Sequence, residues 1–278
     1  MLSPVKRYCL PLLIVTVVGL ASNVANGQTA DVKADYRYAA ITWLQKSAEY
    51  RLLTEQIYRA ASFQLQMGLQ DPHWSADEVQ LASGRFQNKP PAIILDCDET
   101  VLDNSSYNAR NIVDGKEYST DEWNEWCDER KAKAIPGSVD FVNAAEKLGV
   151  KVFFITNRRD VVKVATIANL RALGFPASED TVLTRNDDQN RGKDKVSRRA
   201  MVAKGHRIVL LIGDNMSDLC GGLHEKSDDS TDATETRNAI SQTKQALLGS
   251  RWVMLPNPAY GDWQQALPEG DAALDLQR

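Results

Sequence analysis

The sequence predicts an α/β fold: a Rossmann-like parallel sheet flanked by helices, with a small, mainly helical subdomain beside it. Short apolar runs alternate with segments of helical periodicity through most of the chain, and this alternation is typical of parallel strands joined by right-handed crossovers. The runs are continuously apolar, as expected of strands that are buried on both faces. A chain of 278 residues is long enough for one such domain and a subdomain.

The first 27 residues have the layout of a secretory signal peptide. Lys6 and Arg7 precede an apolar stretch over residues 9–20, and small and polar residues follow up to Gly27. An uncleaved membrane anchor is the alternative, but this stretch is short for a bilayer span. No cysteine lies directly after it, so we expect a periplasmic or secreted protein without lipid attachment and without an integral membrane segment after cleavage.

The charge balance argues against nucleic acid and anionic membranes as partners, because both bind to basic protein surfaces. The chain has 33 basic and 37 acidic residues, and loss of the signal peptide would leave 31 basic residues against 37 acidic ones. A mildly acidic protein has no general attraction for nucleic acid or for anionic membranes. We therefore expect a small-molecule partner and no nucleic acid.

Residues 28–90 are predicted to form an N-terminal helical region. Helical periodicity runs from about residue 34 to residue 69 and ends at the Asp-Pro pair 71–72. A shorter helix is expected over residues 76–85. The amphipathic first helix could pack on the core or form a dimer contact, so the sequence leaves a homodimer open.

Residues 91–265 are predicted to form the core, with a C-terminal tail over residues 266–278. An aromatic-rich insertion of about residues 105–135 follows the first strand. Residues 225–237 are rich in Asp, Ser and Thr and are predicted to be a solvated loop or a frayed helix. Strands are expected at residues 93–95, 150–156, 181–183, 208–213 and 252–255, and helices at 138–148, 161–173 and 195–204.

The first of these strands ends in two carboxylates, Asp96 and Asp98, which point to the same face of a strand. Without compensation, two charges at the edge of a core would be strongly destabilising. A divalent cation between them, or a proton on one of them, would remove that cost. Either condition favours a phosphoryl-transfer site over a structural role.

Polar residues also end the other strands, at the edge where ligands bind in open parallel sheets. Thr156 and Asn157 follow the second strand, Asp214 and Asp218 follow the fourth, and a basic segment lies at residues 191–195. Each group alone could be a helix cap, a turn or a solvated surface. Together with the first pair they predict four carboxylates, a hydroxyl and a lysine at one rim.

These residues resemble the four motifs of the haloacid-dehalogenase phosphatase superfamily, in the same order. Further segments are similar to the class C bacterial acid phosphatases, which are secreted or outer-membrane enzymes that release phosphate from 5′-nucleotides. The resemblance runs from about residue 43 to residue 263. The superfamily motifs lie at residues 96–101, 156–157, 195 and 213–218, and the class C segments at 47–50, 123–126, 135–137, 156–160 and 256–263.

The resemblance implies a Mg²⁺ cofactor, an ion that prefers oxygen ligands. Asp96 and Asp214 would bind it through their side chains, and Asp98 through its backbone carbonyl. Asp218 would hold it through water molecules. The implied activity is that of a secreted, Mg²⁺-dependent acid phosphatase acting on phosphomonoesters, with 5′-nucleotides as the expected substrates.

The resemblance also implies catalytic roles. Asp96 would attack phosphorus and form an aspartyl-phosphate intermediate, while Asp98 would protonate the leaving oxygen and later activate water. Thr156, the backbone N–H of Asn157, and Lys195 would contact the transferred phosphoryl group.

Trp123, Trp126 and Tyr260 are candidates for an aromatic clamp that stacks a nucleobase, as aromatic residues in these segments do in the family. The alternative is that the two tryptophans form the core of the insertion. The sequence leaves substrate breadth open, because sugar phosphates and other monoesters present the same reactive group.

Two further points stay open at the level of sequence. Lys193 lies two residues from Lys195, which we prefer for its spacing to the arginine pair that follows it. Cys127 and Cys220 could form a disulfide in an oxidising compartment, whereas Cys97 is predicted to be a buried free thiol.

Other functions remain compatible with this pattern of residues. A non-catalytic periplasmic nucleotide-binding protein on the same fold would be expected to lose the first carboxylate, and Asp96 is present. A dehalogenase does not need the second carboxylate, so Asp98 argues against it. A phosphotransferase or phosphomutase would share all four motifs, but secretion favours hydrolysis.

Overall fold

The computed structural model describes residues 37–186, 192–193, 195–221 and 230–266. The strands are β1 (Pro91–Leu95), β2 (Leu102–Asp103), β3 (Lys133–Ala134), β4 (Lys151–Arg159), β5 (Val182–Arg185), β6 (Arg207–Gly213) and β7 (Trp252–Met254). The helices are α1 (Arg37–Lys46), α2 (Ala48–Gln70), α3 (Glu78–Ser83), α4 (Ser105–Val113), α5 (Thr120–Glu129), α6 (Ser138–Lys147), α7 (Lys163–Ala172), α8 (Val196–Gly205), α9 (Met216–Leu219) and α10 (Ser230–Thr243).

Five strands form one sheet in the order β5-β4-β1-β6-β7, and every neighbouring pair is parallel. The predicted α/β fold with a parallel sheet flanked by helices is confirmed. β1 is central and pairs with both β4 and β6, so the carboxyl ends of these three strands are adjacent. All residues of β6 are buried, which explains the continuous apolar run at residues 208–212 that follows Arg207.

The segment after β1 is bracketed by a second, two-stranded sheet. β2 and β3 pair antiparallel, with Leu102 opposite Ala134 and Asp103 opposite Lys133. Helices α4 and α5 lie between these two strands in the sequence, within the region predicted as an insertion. The pairing brings the two ends of this segment together directly after the end of β1.

The structure corrects the single N-terminal helix that the periodicity predicts. The chain is extended at Ser47, which separates α1 from α2, and the Ser47 hydroxyl accepts a hydrogen bond from the N–H of Tyr50 at 3.1 Å. This contact satisfies an N–H that the first turn of α2 would otherwise leave without a partner. In the amphipathic pattern of the sequence, this serine fits an exposed position of one continuous helix.

Two other predictions are only partly covered by the structure. Of the acidic segment at 225–237, residues 230–237 belong to α10, and the rest lies outside the described residues. The predicted signal peptide and C-terminal tail also lie outside the described residues, except for residue 266. None of the helices in the described ranges combines the length and apolarity that crossing a membrane requires.

Helix α2 is held against β6 by a close backbone approach at Gly68. A Cβ at this position would lie 2.6 Å from Val209 Cγ1 and 2.8 Å from Trp74 Cδ1. The buried Arg207 donates through Nη1 to the carbonyls of Gly68, Asp71 and Trp74, at 2.8, 2.9 and 3.0 Å. It thereby satisfies carbonyls at and beyond the helix end that lack partners within the helix.

We expect Gly68→Ala to lower the free energy of unfolding by about 1–3 kcal/mol, because the added methyl group would overlap Val209 and Trp74. Urea denaturation measures this effect. Gly205→Ala is the matched control, since Gly205 ends α8 and a Cβ there would meet no atom within 4 Å. The control should leave stability unchanged or slightly raised. Equal stability of the Gly68→Ala and wild-type proteins would contradict the close approach.

Candidate active site

A cavity of about 750 Å³ lies at the edge of the sheet formed by the carboxyl ends of β1, β4 and β6. Most of the side chains that the sequence singled out reach this cavity, as expected for an open parallel sheet. Of the predicted site residues, Asp96, Asp98, Trp123, Asn157, Lys195, Asp214, Asp218 and Tyr260 line it.

Three carboxylates meet in the cavity. Asp96, Asp214 and Asp218 each offer an oxygen, and these oxygens lie within 4.8 Å of one another. Asp214 is oriented by two donors that sequence analysis did not single out: Thr100 Oγ1 donates to its Oδ1 at 3.0 Å, and Asn257 Nδ2 donates to its Oδ2 at 2.8 Å. This all-oxygen group of donors suits a hard divalent cation.

The lysine beside these carboxylates is Lys195. Its buried Nζ donates to Oδ1 of Asp96 and to Oδ1 of Asp218, the latter at 2.6 Å. Lys193 is half-exposed, and its Nζ lies 3.4 Å from Oδ1 of Asp262. The geometry therefore favours Lys195 over Lys193 as the motif-three lysine.

The electrostatics of this group are dominated by burial. Burial raises the pKa of Asp96 to about 7, with Lys195 opposing the rise and Asp218 and Asp98 adding to it. Desolvation, followed by Asp218 and Asp96, raises the pKa of Asp214 well above its usual range. For Lys195, burial lowers the pKa, but the two carboxylates outweigh it and the net shift is upward. One ammonium thus faces three carboxylates, an excess of negative charge that a divalent cation would neutralise.

Asp98 has a separate set of partners. Its Oδ1 accepts hydrogen bonds from Arg158 Nε at 2.9 Å and from Asn104 Nδ2 at 2.9 Å, and lies 2.8 Å from Arg158 Nη2. Thr156 Oγ1 lies 3.4 Å from the other oxygen, Oδ2. The Arg158 side chain is fully buried, and the sequence analysis assigned it no role. Side-chain alternation could have found it, because residues 156 and 158 of β4 lie on the same face.

The turn between Asp98 and α4 is also held by a buried carboxyl group, that of Glu99. Glu99 has a positive φ of 54°, and its Oε1 accepts a hydrogen bond from the N–H of Asn104 at 2.8 Å. Burial raises the pKa of Glu99 well above its usual range, and Asp98 and Asp214 add to the rise. Sequence analysis assigned no role to Glu99, since its importance depends on a fold that encloses it.

The cysteines are three buried free thiols in the described part of the chain. The predicted burial of Cys97 between the two carboxylates is confirmed. Cys127 and Cys220 do not pair in the structure, so the disulfide that the sequence left open is not formed.

The candidate aromatic clamp divides into two kinds of residue. Trp123 and Tyr260 are half-buried and line the cavity. Trp126 is buried and does not line it, and its Nε1 donates to Oδ1 of Asn104 at 2.8 Å. Tyr107 packs edge-on against Trp123, with ring centroids 5.0 Å apart. The burial of Trp126 favours the structural alternative for that tryptophan.

Comparison with known proteins identifies the family. A family model described as HAD superfamily, subfamily IIIB (acid phosphatase), matches residues 14–263. The chain belongs to this family. The structure is similar to that of the class C acid phosphatase from Bacillus anthracis, with 34% identity and a TM-score of 0.70 over 85% of this chain and 92% of that one. The tungstate-bound structure of that enzyme matches with 34% identity and a TM-score of 0.69, over 88% and 93% of the two chains.

Plant proteins match over a shorter region of this acid phosphatase family member. Acid phosphatase 1 of Solanum lycopersicum is 33% identical over 131 residues, which are 46% of this chain and 51% of the relative. A stem 28 kDa glycoprotein of Glycine max is 28% identical over 138 residues, 48% and 54% of the two chains. The chain therefore spans about half the length of these curated relatives.

We expect Lys195→Met to lower phosphate release from p-nitrophenyl phosphate by at least about a hundredfold, because it removes the cation that contacts Asp96. Lys193→Met is the matched comparison and should lose far less activity, since Lys193 lines the cavity but its Nζ lies against Asp262 rather than against the three carboxylates. Circular dichroism checks that both variants fold. A larger loss in the Lys193 variant would reverse the assignment.

Proposed function

We propose that this protein is a secreted, Mg²⁺-dependent acid phosphatase that hydrolyses phosphomonoesters, with 5′-nucleotides as its preferred substrates. The observation that carries the proposal is the grouping of Asp96, Asp214 and Asp218 around Lys195 in one cavity. Membership of an acid phosphatase family supports the reaction class. The basic and apolar pattern of residues 1–27 supports secretion.

The residues present fit a magnesium ion. Asp96 and Asp214 would bind it through carboxylate oxygens and Asp98 through its carbonyl oxygen, with Asp218 beside them. The excess of carboxylates over ammonium groups at this point supports a divalent ion rather than a purely structural ion pair. When bound, the ion neutralises charge on the phosphate so that a carboxylate can approach phosphorus.

The remaining chemistry falls to the side chains of the chain itself. Asp96 attacks phosphorus, and the resulting aspartyl-phosphate divides hydrolysis into two easier steps. Asp98 donates a proton to the leaving oxygen and then accepts one from the attacking water. The Thr156 hydroxyl, the N–H of Asn157 and the Lys195 ammonium stabilise the phosphoryl oxygens. The contact between Lys195 and Asp96 supports this role for the ammonium.

The cavity supports a nucleotide-sized substrate. Its volume of about 750 Å³ is within the usual range for small-molecule sites. Trp123 and Tyr260 offer aromatic faces for a base, and the cationic side chains of Arg37, Arg185 and Lys193 also line the cavity. These cations favour an anionic ligand. Trp126 is buried and does not line the cavity, so it is not among the residues proposed to contact the substrate.

Asp96→Asn should abolish turnover and preserve the fold, because the two side chains have nearly the same size but the amide cannot attack phosphorus. Phosphate release is measured over a panel of monoesters, with Mg²⁺ and after chelation by EDTA, which should stop the reaction reversibly. Asp180→Asn is the matched control, since Asp180 is exposed and precedes β5 at the opposite end of the sheet.

Near-normal activity of the Asp96→Asn variant would reject the covalent mechanism, and full activity in EDTA would reject the metal requirement. A wild-type protein that binds nucleotides but releases no phosphate from any monoester would favour the non-catalytic binding protein. Transfer of phosphate to added alcohols in preference to water would favour the phosphotransferase.

Tyr260→Ala should reduce kcat/KM for 5′-AMP by roughly five- to 150-fold more than for p-nitrophenyl phosphate, because base stacking contributes about 1–3 kcal/mol. Both substrates are compared in the same steady-state assay. Tyr38→Ala is the control, since Tyr38 is 66% exposed on α1 and does not line the cavity. Equal losses for the two substrates would assign Tyr260 a structural role instead.

A further inference from the structure

The two carboxylate oxygens of Asp98 have different surroundings. Oδ1 accepts hydrogen bonds from Arg158 Nε and Asn104 Nδ2, both at 2.9 Å, and lies 2.8 Å from Arg158 Nη2. Within the described part of the chain, Oδ2 has only the Thr156 hydroxyl as a hydrogen-bond neighbour, at 3.4 Å. Two donated hydrogens and the adjacent Nη2 group fill the space around Oδ1, so a proton on that oxygen would collide with them. A proton on Asp98 therefore belongs on Oδ2.

Each of the three guanidinium nitrogens of Arg158 donates a hydrogen bond. Its Nη1 donates to Thr166 Oγ1 at 3.3 Å and its Nη2 donates to Asn104 Oδ1 at 3.1 Å. The guanidinium lies 5.5 Å from the ring centroid of Trp123. A fully buried, planar guanidinium with these partners has one orientation, and its charge is compensated by Asp98.

Asn104 completes the arrangement and is oriented by Trp126. Its Oδ1 accepts from both Trp126 Nε1 and Arg158 Nη2, so the opposite end of the amide must be the donor that faces Asp98. This gives the buried Trp126 a defined place: it fixes the amide that contacts the carboxyl group. The contacts form one continuous chain of hydrogen bonds from the insertion to Asp98.

We propose that Arg158, Asn104 and Trp126 are positioning residues that hold the Asp98 carboxyl group in one orientation and reserve Oδ2 for proton transfer. The inference rests on the proposed function, in which Asp98 is the general acid. In that step the bond from Asp96 to phosphorus forms and the bond from phosphorus to the leaving oxygen breaks, with its electron pair passing to that oxygen. The proton moves from Asp98 Oδ2 to the leaving oxygen, and Arg158 stabilises the carboxylate that remains.

Two substrates of nearly identical shape separate this role from phosphate binding. Phenyl phosphate and p-nitrophenyl phosphate differ mainly in leaving-group basicity, and the more basic phenolate depends more on the acid. Arg158→Met should therefore reduce kcat/KM for phenyl phosphate at least about tenfold more than for p-nitrophenyl phosphate. Arg159→Met is the matched control, because Arg159 is the next residue of β4 and is exposed. The ratio of kcat/KM for the two substrates in this variant should equal that of the wild type.

Asp98→Asn distinguishes failure of the inference from failure of the proposed function. If Asp98→Asn shifts the substrate ratio and Arg158→Met lowers both substrates equally, the positioning role is wrong and the general acid stands. If Asp98→Asn leaves the ratio unchanged, the general acid role fails and the inference fails with it. In the Asp98→Asn background, Arg158→Met should produce no further change in the ratio, because both substitutions act on one step.

A milder variant covers the case in which Arg158→Met does not fold. Trp126→Phe removes the indole N–H that Asn104 accepts, together with part of the bicyclic ring, and keeps a six-membered aromatic ring in the same packed position. It should shift the ratio in the same direction by a smaller factor, with an unchanged circular dichroism spectrum. An unchanged ratio in this folded variant would overturn the inference.

Discussion

The compensation of carboxylates at one edge of the sheet is the constraint on which the rest of the site depends. Asp96 and Asp218 share the ammonium of Lys195, and Asp98 is compensated by the guanidinium of Arg158. Both cations are buried. Removal of either would leave a buried charge without compensation, which is strongly destabilising. The positions of β4 and of the start of α8 relative to β1 are therefore tied to the chemistry of the site.

This arrangement gives different environments to two carboxylates that are only two residues apart. Asp96 lies with like charges and an ammonium, an environment suited to a cation and to nucleophilic attack. Asp98 accepts hydrogen bonds from N–H donors at one of its oxygens, an environment suited to holding a proton on the other oxygen. Separation of environments is a general way to assign distinct acid–base roles to neighbouring carboxyl groups.

The sequence could predict the site residues whose role follows from a local pattern, and it could not predict those whose role depends on contacts between distant segments. Asp96 and Asp214 directly follow apolar runs, so their place at the carboxyl edge follows from the strand pattern alone. Asn104 and Asn257 carry no such signal, because their roles arise from contacts with Asp98 and Asp214 that only the fold creates. The break at Ser47 was missed for the opposite reason: hydrophobic periodicity continues through a position where a side-chain cap interrupts the helix.

The two tryptophans of α5 show why spacing alone could not assign their roles. They lie three residues apart, yet Trp123 lines the cavity and packs near Arg158, whereas Trp126 is buried against Asn104. The same helix thus contributes a wall of the cavity and, through Asn104, a support for Asp98. The insertion is for this reason coupled to the strand ends, since a shift of α5 would alter the cavity and the orientation of Asp98 together.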